Sequence, residues 1–154
     1  MKTFATVMIL GCAILGGCSP ALPLPPGFVD VGRDNLGPYS QRAVSADGVV
    51  IAIRTEDNPK NATLDFWAPA IRDELVDRRG YTLVREEPVT SGALGGKLMI
   101  FSSQRSGVEF TYLAAVYVKG SQVVIAEAGG KREAVTPKVD AIRKSLCDVR
   151  YGGM

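Results

Sequence analysis

The stretch from residue 81 to 129 constrains this chain most. Four runs, YTLVREEPV, KLMIFSSQ, VEFTYLAAVYV and SQVVIAEAG, are rich in β-branched and aromatic residues and are separated only by SGALGG, RSG and KG. Connections of that length and composition suit antiparallel turns, so the segment reads as a four-strand meander. In the third run Phe110, Tyr112, Ala114, Val116 and Val118 alternate with Thr111, Leu113, Ala115, Tyr117 and Lys119. Both sides of this strand are apolar, which predicts a central position with helices covering the sheet.

Upstream, YSQRAVSADGVVIAIRTED places Asp47-Gly48 between two strand-favouring runs. Both turn positions of an Asp-Gly pair tolerate positive φ, so a hairpin is expected. A helix follows in NPKNATLDFWAPAIRDELVDRRGY: Leu64, Trp67, Ile71 and Leu75 share a stripe at spacings of three and four, Thr63 stands at the cap, and Gly80 supplies a left-handed stop. Pro69 conflicts with that helix, which either kinks there or begins its regular part nearer Phe66. A last helix has Val135, Val139, Ile142 and Leu146 on its apolar stripe, with Thr136-Pro137 delaying its regular part. The expected fold is α+β: an antiparallel sheet, made of a hairpin plus a four-strand meander, packed by two helices.

This order of elements resembles the PsbP-like fold, the family of the photosystem oxygen-evolving extrinsic protein and of a Ran-binding nuclear import factor, which also includes bacterial lipoproteins. The similar pieces are LDFWAPAIRDELVDRRGY, LVREEPVTSGALGGKLMIFSS, the pair VEFTYLAAVYV and SQVVIAEAGG, and VDAIRKSL, and the resemblance as a whole covers residues 47 to 146. The resemblance carries over no catalytic set; it implies a binding or assembly accessory.

The N-terminus predicts an address. Lys2 precedes small and apolar residues from Thr3 to Gly17, the pattern of a secretory signal and shorter than the roughly 20 residues a membrane span needs. Leu15-Gly16-Gly17-Cys18 resembles a lipobox. Cleavage after Gly17 would leave Cys18 as the acylated N-terminus, carrying diacylglycerol with chains such as palmitate; the alternative is an ordinary signal with Cys18 a free thiol. Ile9-Leu10-Gly11-Cys12 is a weaker second candidate. Ser19 after the cysteine suits outer-membrane sorting, facing the periplasm. Pro20, Pro23, Pro25 and Pro26 then predict an extended, semi-rigid stalk. The expected organisation is a signal peptide at 1–17, a lipidated cysteine and stalk at 18–27, and a domain at 28–154.

Composition narrows the chemistry. There are 18 basic and 16 acidic residues, and removal of Lys2 with the signal leaves 17 against 16. That balance gives no basic excess to neutralise phosphates, so nucleic acid is not an expected partner. With no histidine, histidine-based nucleophile systems and histidine zinc sites are excluded. No cofactor, metal or catalytic residue is expected. TSGALGGK lacks the first glycine and the final Ser or Thr of a phosphate loop and reads as a hairpin turn. Glu86 and Glu87 are adjacent on a strand and point to opposite faces, so they cannot converge on one bond. Cys147, beyond the last helical stripe, is a structural thiol or half of an intermolecular disulfide. The partner candidates are the membrane, through the anchor, and another envelope protein. Phe66, Trp67 and Tyr81 are the candidate partner or ligand patch, with Trp67 also a core candidate. A groove between the first helix and the sheet is the alternative site, for a small ligand or lipid.

Overall fold

The computed structural model describes residues 19–32 and 37–151. Its centre is the expected meander: β5 (Thr82–Ser91), β6 (Leu94–Arg105), β7 (Val108–Lys119) and β8 (Gln122–Lys131), each antiparallel to the next. The hairpin of β3 (Tyr39–Ser45) and β4 (Val50–Asp57) joins through β4 against β8. A strand that sequence reasoning did not find, β2 (Phe28–Asp30), adds to β3 and completes a seven-stranded sheet in the order β2-β3-β4-β8-β7-β6-β5. The hairpin turn is the Asp-Gly turn: Gly48 has φ +82° and its N–H donates to Ser45 O at 3.0 Å.

Helix α1 (Leu64–Asp73) carries the chain from β4 to the far edge of the sheet. It passes through Pro69 without ending. The carbonyl that proline leaves without a partner belongs to Asp65, which is exposed, so water can satisfy it. The helix finishes in a π-helical turn at Glu74–Arg78, and Gly80 at φ +71° lets Tyr81 N–H reach back to Leu75 O at 3.0 Å. Thr63 stands at the N-cap with its side chain unbonded. The C-terminal helix begins with a turn, α2 (Arg132–Val135), tightens to 3₁₀ at Thr136–Lys138, and becomes regular only in α3 (Val139–Leu146).

The sheet divides the interior in two. On one face α3 presses Ile142 and Leu146 onto Ile51, Ile53, Leu98, Leu113 and Tyr117; on the other α1 presses Trp67, Ile71 and Leu75 onto Met99, Phe101, Val116 and Ile125. The alternation along β7 feeds both faces, as its sequence requires. Segment SGALGG is less of a loop than expected. The turn is only Gly92-Ala93, and Gly95-Gly96 lie in β6, with Gly96 opposite Tyr117. A Cβ at Gly96 would stand 2.4 Å from the Tyr117 ring, so glycine there serves close packing.

Residues 19–27 are not a free stalk. Pro20–Ala21 form β1, paired with β9 (Arg150–Tyr151), and Leu22 is buried in the α3-side core. Gln41 brackets Leu22, its Oε1 accepting from Leu22 N–H at 2.7 Å and its Nε2 donating to Leu22 O at 3.3 Å. Ser40 Oγ donates to Pro20 O at 2.9 Å and Ser145 Oγ to Pro23 O at 2.6 Å. Proline has no N–H to give, but its carbonyls still accept, and those acceptors strap the segment to the domain.

Candidate functional site: the groove between the first helix and the sheet

A groove of about 520 Å³ runs between α1 and the sheet. One wall is helical, with Trp67, Ala70, Ile71, Glu74 and Leu75; the floor is Arg54, Glu56, Tyr112, Ile125 and Glu127; Tyr39, Arg79 and Tyr81 stand at its rim. Its position follows from the fold. The stripe that makes α1 amphipathic seats the helix on β6 and β7, and the side chains of β4 and β8 beyond it are left only part-covered.

Glu127 is the polar centre of the floor. It follows Val123 and Ile125 at the strand period, so it points to the α1 face, where it is only 8% exposed. Tyr112 O–H donates to its Oε2 at 2.6 Å, and Arg54 Nε lies 3.7 Å from the same oxygen. Arg54 in turn pairs with Glu56. Burial, followed by the charge and hydrogen bond of Glu127, pushes the Tyr112 phenol far above its ordinary range. Tyr39 is raised by the same causes, burial first. Both phenols are therefore neutral donors across physiological pH.

Asn58 sets the helix end of the groove. It is 1% exposed; its Nδ2 donates to Ala62 O at 2.9 Å and to Gly120 O at 3.3 Å, while its Oδ1 accepts from Ala62 N–H at 2.9 Å and Trp67 Nε1 at 3.1 Å. One amide thus ties the start of α1 to the β7–β8 turn and fixes the indole.

The expected patch is split. Trp67 and Tyr81 line the groove, with Tyr81 stacking at 5.5 Å on Tyr112 and 6.2 Å on Phe101. Phe66 is 59% exposed and meets the edge of Trp67 at 5.7 Å, outside the groove, because it falls one position off the apolar stripe. Cys18 and Gly17 lie outside the described residues. Glu86 and Glu87 diverge as expected: Glu86 faces Arg72 of α1 at 3.4 Å, whereas Glu87 meets Arg143 of α3 across the sheet. Burial raises the Cys147 thiol, against the opposing pull of a Tyr117 hydrogen bond and Arg143; burial, more than the helix end, is the cause. Among the described residues no group of acidic or sulfur side chains has the spacing of a metal site. Sequence reasoning missed Asn58, Tyr112, Arg54 and Glu127. For Glu127 a signal existed, a lone carboxylate continuing an otherwise apolar stripe.

The chain is an antiparallel sheet with helices on both faces and α1 leading from β4 to the edge strand β5, and solved structures with the PsbP-like fold match it. No family profile and no curated protein sequence matches. The solution structure of the cyanobacterial PsbP (CyanoP) of Synechocystis superposes with a TM-score of 0.61 at 11% identity, over 93% of this chain and 98% of that one. LpqN of Mycobacterium tuberculosis, involved in cell envelope biogenesis, gives 0.63 at 15% identity over 84% and 82%. A Pseudomonas aeruginosa protein of unknown function gives 0.54 at 13% identity, over 88% and 85%. At these identities the likeness is one of fold.

Proposed function

We propose that the chain is a membrane-anchored lipoprotein of the cell envelope, acylated at Cys18 after cleavage at Gly17, facing the periplasm from the outer membrane and acting as a non-enzymatic protein-binding or assembly accessory. The order of a charged start, an apolar run and Leu15-Gly16-Gly17-Cys18 supports the anchor. The shared fold with LpqN, itself involved in cell envelope biogenesis, supports the setting. The observation that carries the binding role is the mutual pairing of charges in the groove: Glu127 holds Tyr112 and Arg54, and Arg54 holds Glu56. Groups paired in this way hold one another in place and present a fixed polar surface beside α1. The strap matters here too, because it fastens the residues next to the anchor directly to the domain.

Intact mass of the chain from its native host, together with crosslinking in its own membranes, tests this. The expected result is an acylated Cys18 in the membrane fraction and a reproducible envelope-protein adduct. A bare Cys18 on a soluble chain, or no specific adduct under any growth condition, contradicts it.

The groove itself favours a second reading, a small apolar or lipid ligand held between α1 and the sheet. Its volume of about 520 Å³ and its lining of Trp67, Ile71, Leu75, Tyr81 and Ile125 around few polar groups are what such a site requires. Native mass spectrometry of the chain isolated from its host decides: a retained ligand lost on Trp67→Ala supports this reading, and a ligand-free chain counts against it.

A further inference from the structure

Helix α1 covers only part of its face of the sheet. The pairing register puts Val29, Val44 and Val50 on that same face toward one edge, and Val108 and Phe110 toward the β6–β7 turn, all outside the reach of the helix. Val29 is 69% exposed and Val108 39%. The same register places the cations Arg42, Arg105 and Lys131 on this uncovered part, each exposed and without an ion-pair partner among the described residues. The carboxylate the register places among them, Glu127, is buried and already holds Tyr112 and Arg54. Among the described residues the result is an apolar sheet surface whose open charges are all positive.

We infer that this uncovered half-face docks an acidic amphipathic helix of another envelope protein, laid beside α1 as a second helix on the sheet. Its apolar stripe covers the valines and Phe110, and its flanking carboxylates meet Arg42 and Arg105. The inference rests on the accessory reading and names the partner surface for it. Charge complementarity selects the sign of the partner. Geometry selects a helix: from β2 to β6 the patch crosses six strands, about 24 Å at roughly 4.8 Å per gap, the length of about 16 helical residues. A lipid surface fits less well. Residues 20–24, which lead from the anchor, are strapped to the opposite face of the sheet, so a bilayer beneath them lies away from this patch.

The test uses the full chain carrying Cys18→Ser, so that no acyl group confounds the lipid arm. Three probes are offered: a labelled 16-residue helical peptide (on the order of the length above) with leucines at every third and fourth position flanked by glutamates, the same peptide with lysines for glutamates, and phosphatidylglycerol vesicles. The expected result is binding of the acidic peptide alone, weakened at least roughly tenfold by Arg42→Glu with Arg105→Glu while the thermal melt is unchanged. Failure of the acidic peptide to bind, equal binding of both peptides, or vesicle binding lost on the same substitutions overturns the inference. If crosslinking in native membranes yields a partner seated elsewhere, at Phe66 for instance, the accessory reading survives and this inference falls.

Discussion

The two faces of the sheet are finished differently. Over one, α3 and the N-terminal strap leave Ile53, Leu113, Tyr117, Ile142 and Leu146 at 0% exposure. Over the other, α1 covers Met99, Phe101 and Val116 but leaves Val29, Val31 and Val108 open and a charged network in a groove beside it. Even the tyrosines differ in use. Tyr117 spends its hydroxyl on Leu146 O at 2.9 Å and locks the last helix to the sheet, whereas Tyr112 spends its own on Glu127 in the groove floor. Both faces hold a buried cluster, but only the α3 face carries the N-terminal strap as well. The contrast teaches that the α1 face combines a buried cluster beneath the helix with open surface beside it, and that this open part is where recognition has room.

The sharpest way to break this comparison is to truncate a sealed side chain on one face and an open one on the other. Leu146→Ala removes a fully buried side chain and is expected to cost about 3 kcal/mol in a denaturant melt, whereas Val29→Ala should stay within about 0.5 kcal/mol. Similar losses for both would erase the distinction. A smaller effect tests the strap: Gln41→Ala leaves the N–H and carbonyl of Leu22 without their partner and should cost about 1–2 kcal/mol, with new protease cleavage confined to residues 19–27. If cleavage instead appears across β3 and β4, the strap is integral to the sheet and the two-layer description needs revision.

Smaller still is the pH signature of the groove. Tyr112 has a folded pKa raised from its ordinary 10.0, so the fold holds its proton more tightly than the unfolded chain does. Its contribution is fully present below about pH 10 and is lost as pH rises beyond, where the unfolded chain deprotonates first. Tyr112→Phe should cost about 1 kcal/mol near neutrality and make the alkaline loss of stability shallower in pH-dependent melts; an unchanged alkaline limb would remove Tyr112 from the network. The smallest expected effect belongs to Arg42→Glu, within about 0.5 kcal/mol by the same melt, since the residue is exposed on the open half-face. A large destabilisation there would show that this half-face contributes to stability after all.

How much of this was legible in sequence follows the same division. The meander, the hairpin at Asp47-Gly48 and the apolar stripes of both helices follow from local periodicity and turn chemistry, and all stand where expected. The strap did not follow, because a proline run was judged by its missing donors, while Ser40 and Ser145, which use its carbonyls, are 20 and 122 residues away in sequence. The groove was anticipated as a place but not in its polar residues. Trp67 and Tyr81 stood out by type, whereas Arg54 joins Glu127 and Tyr112 only once β4 pairs with β8, a pairing no local pattern encodes. Asn58 was invisible for the same reason, since one of its carbonyl partners is Gly120 in a distant turn.

The most direct test of the division places a photo-crosslinking side chain at Val29, on the open half-face, and separately at Asp140, on the outside of α3, in the full chain within membranes of its native host. A discrete protein adduct at Val29, joined through an acidic helical segment, and none at Asp140 is the result this account predicts. An adduct at Asp140 with none at Val29 would contradict it.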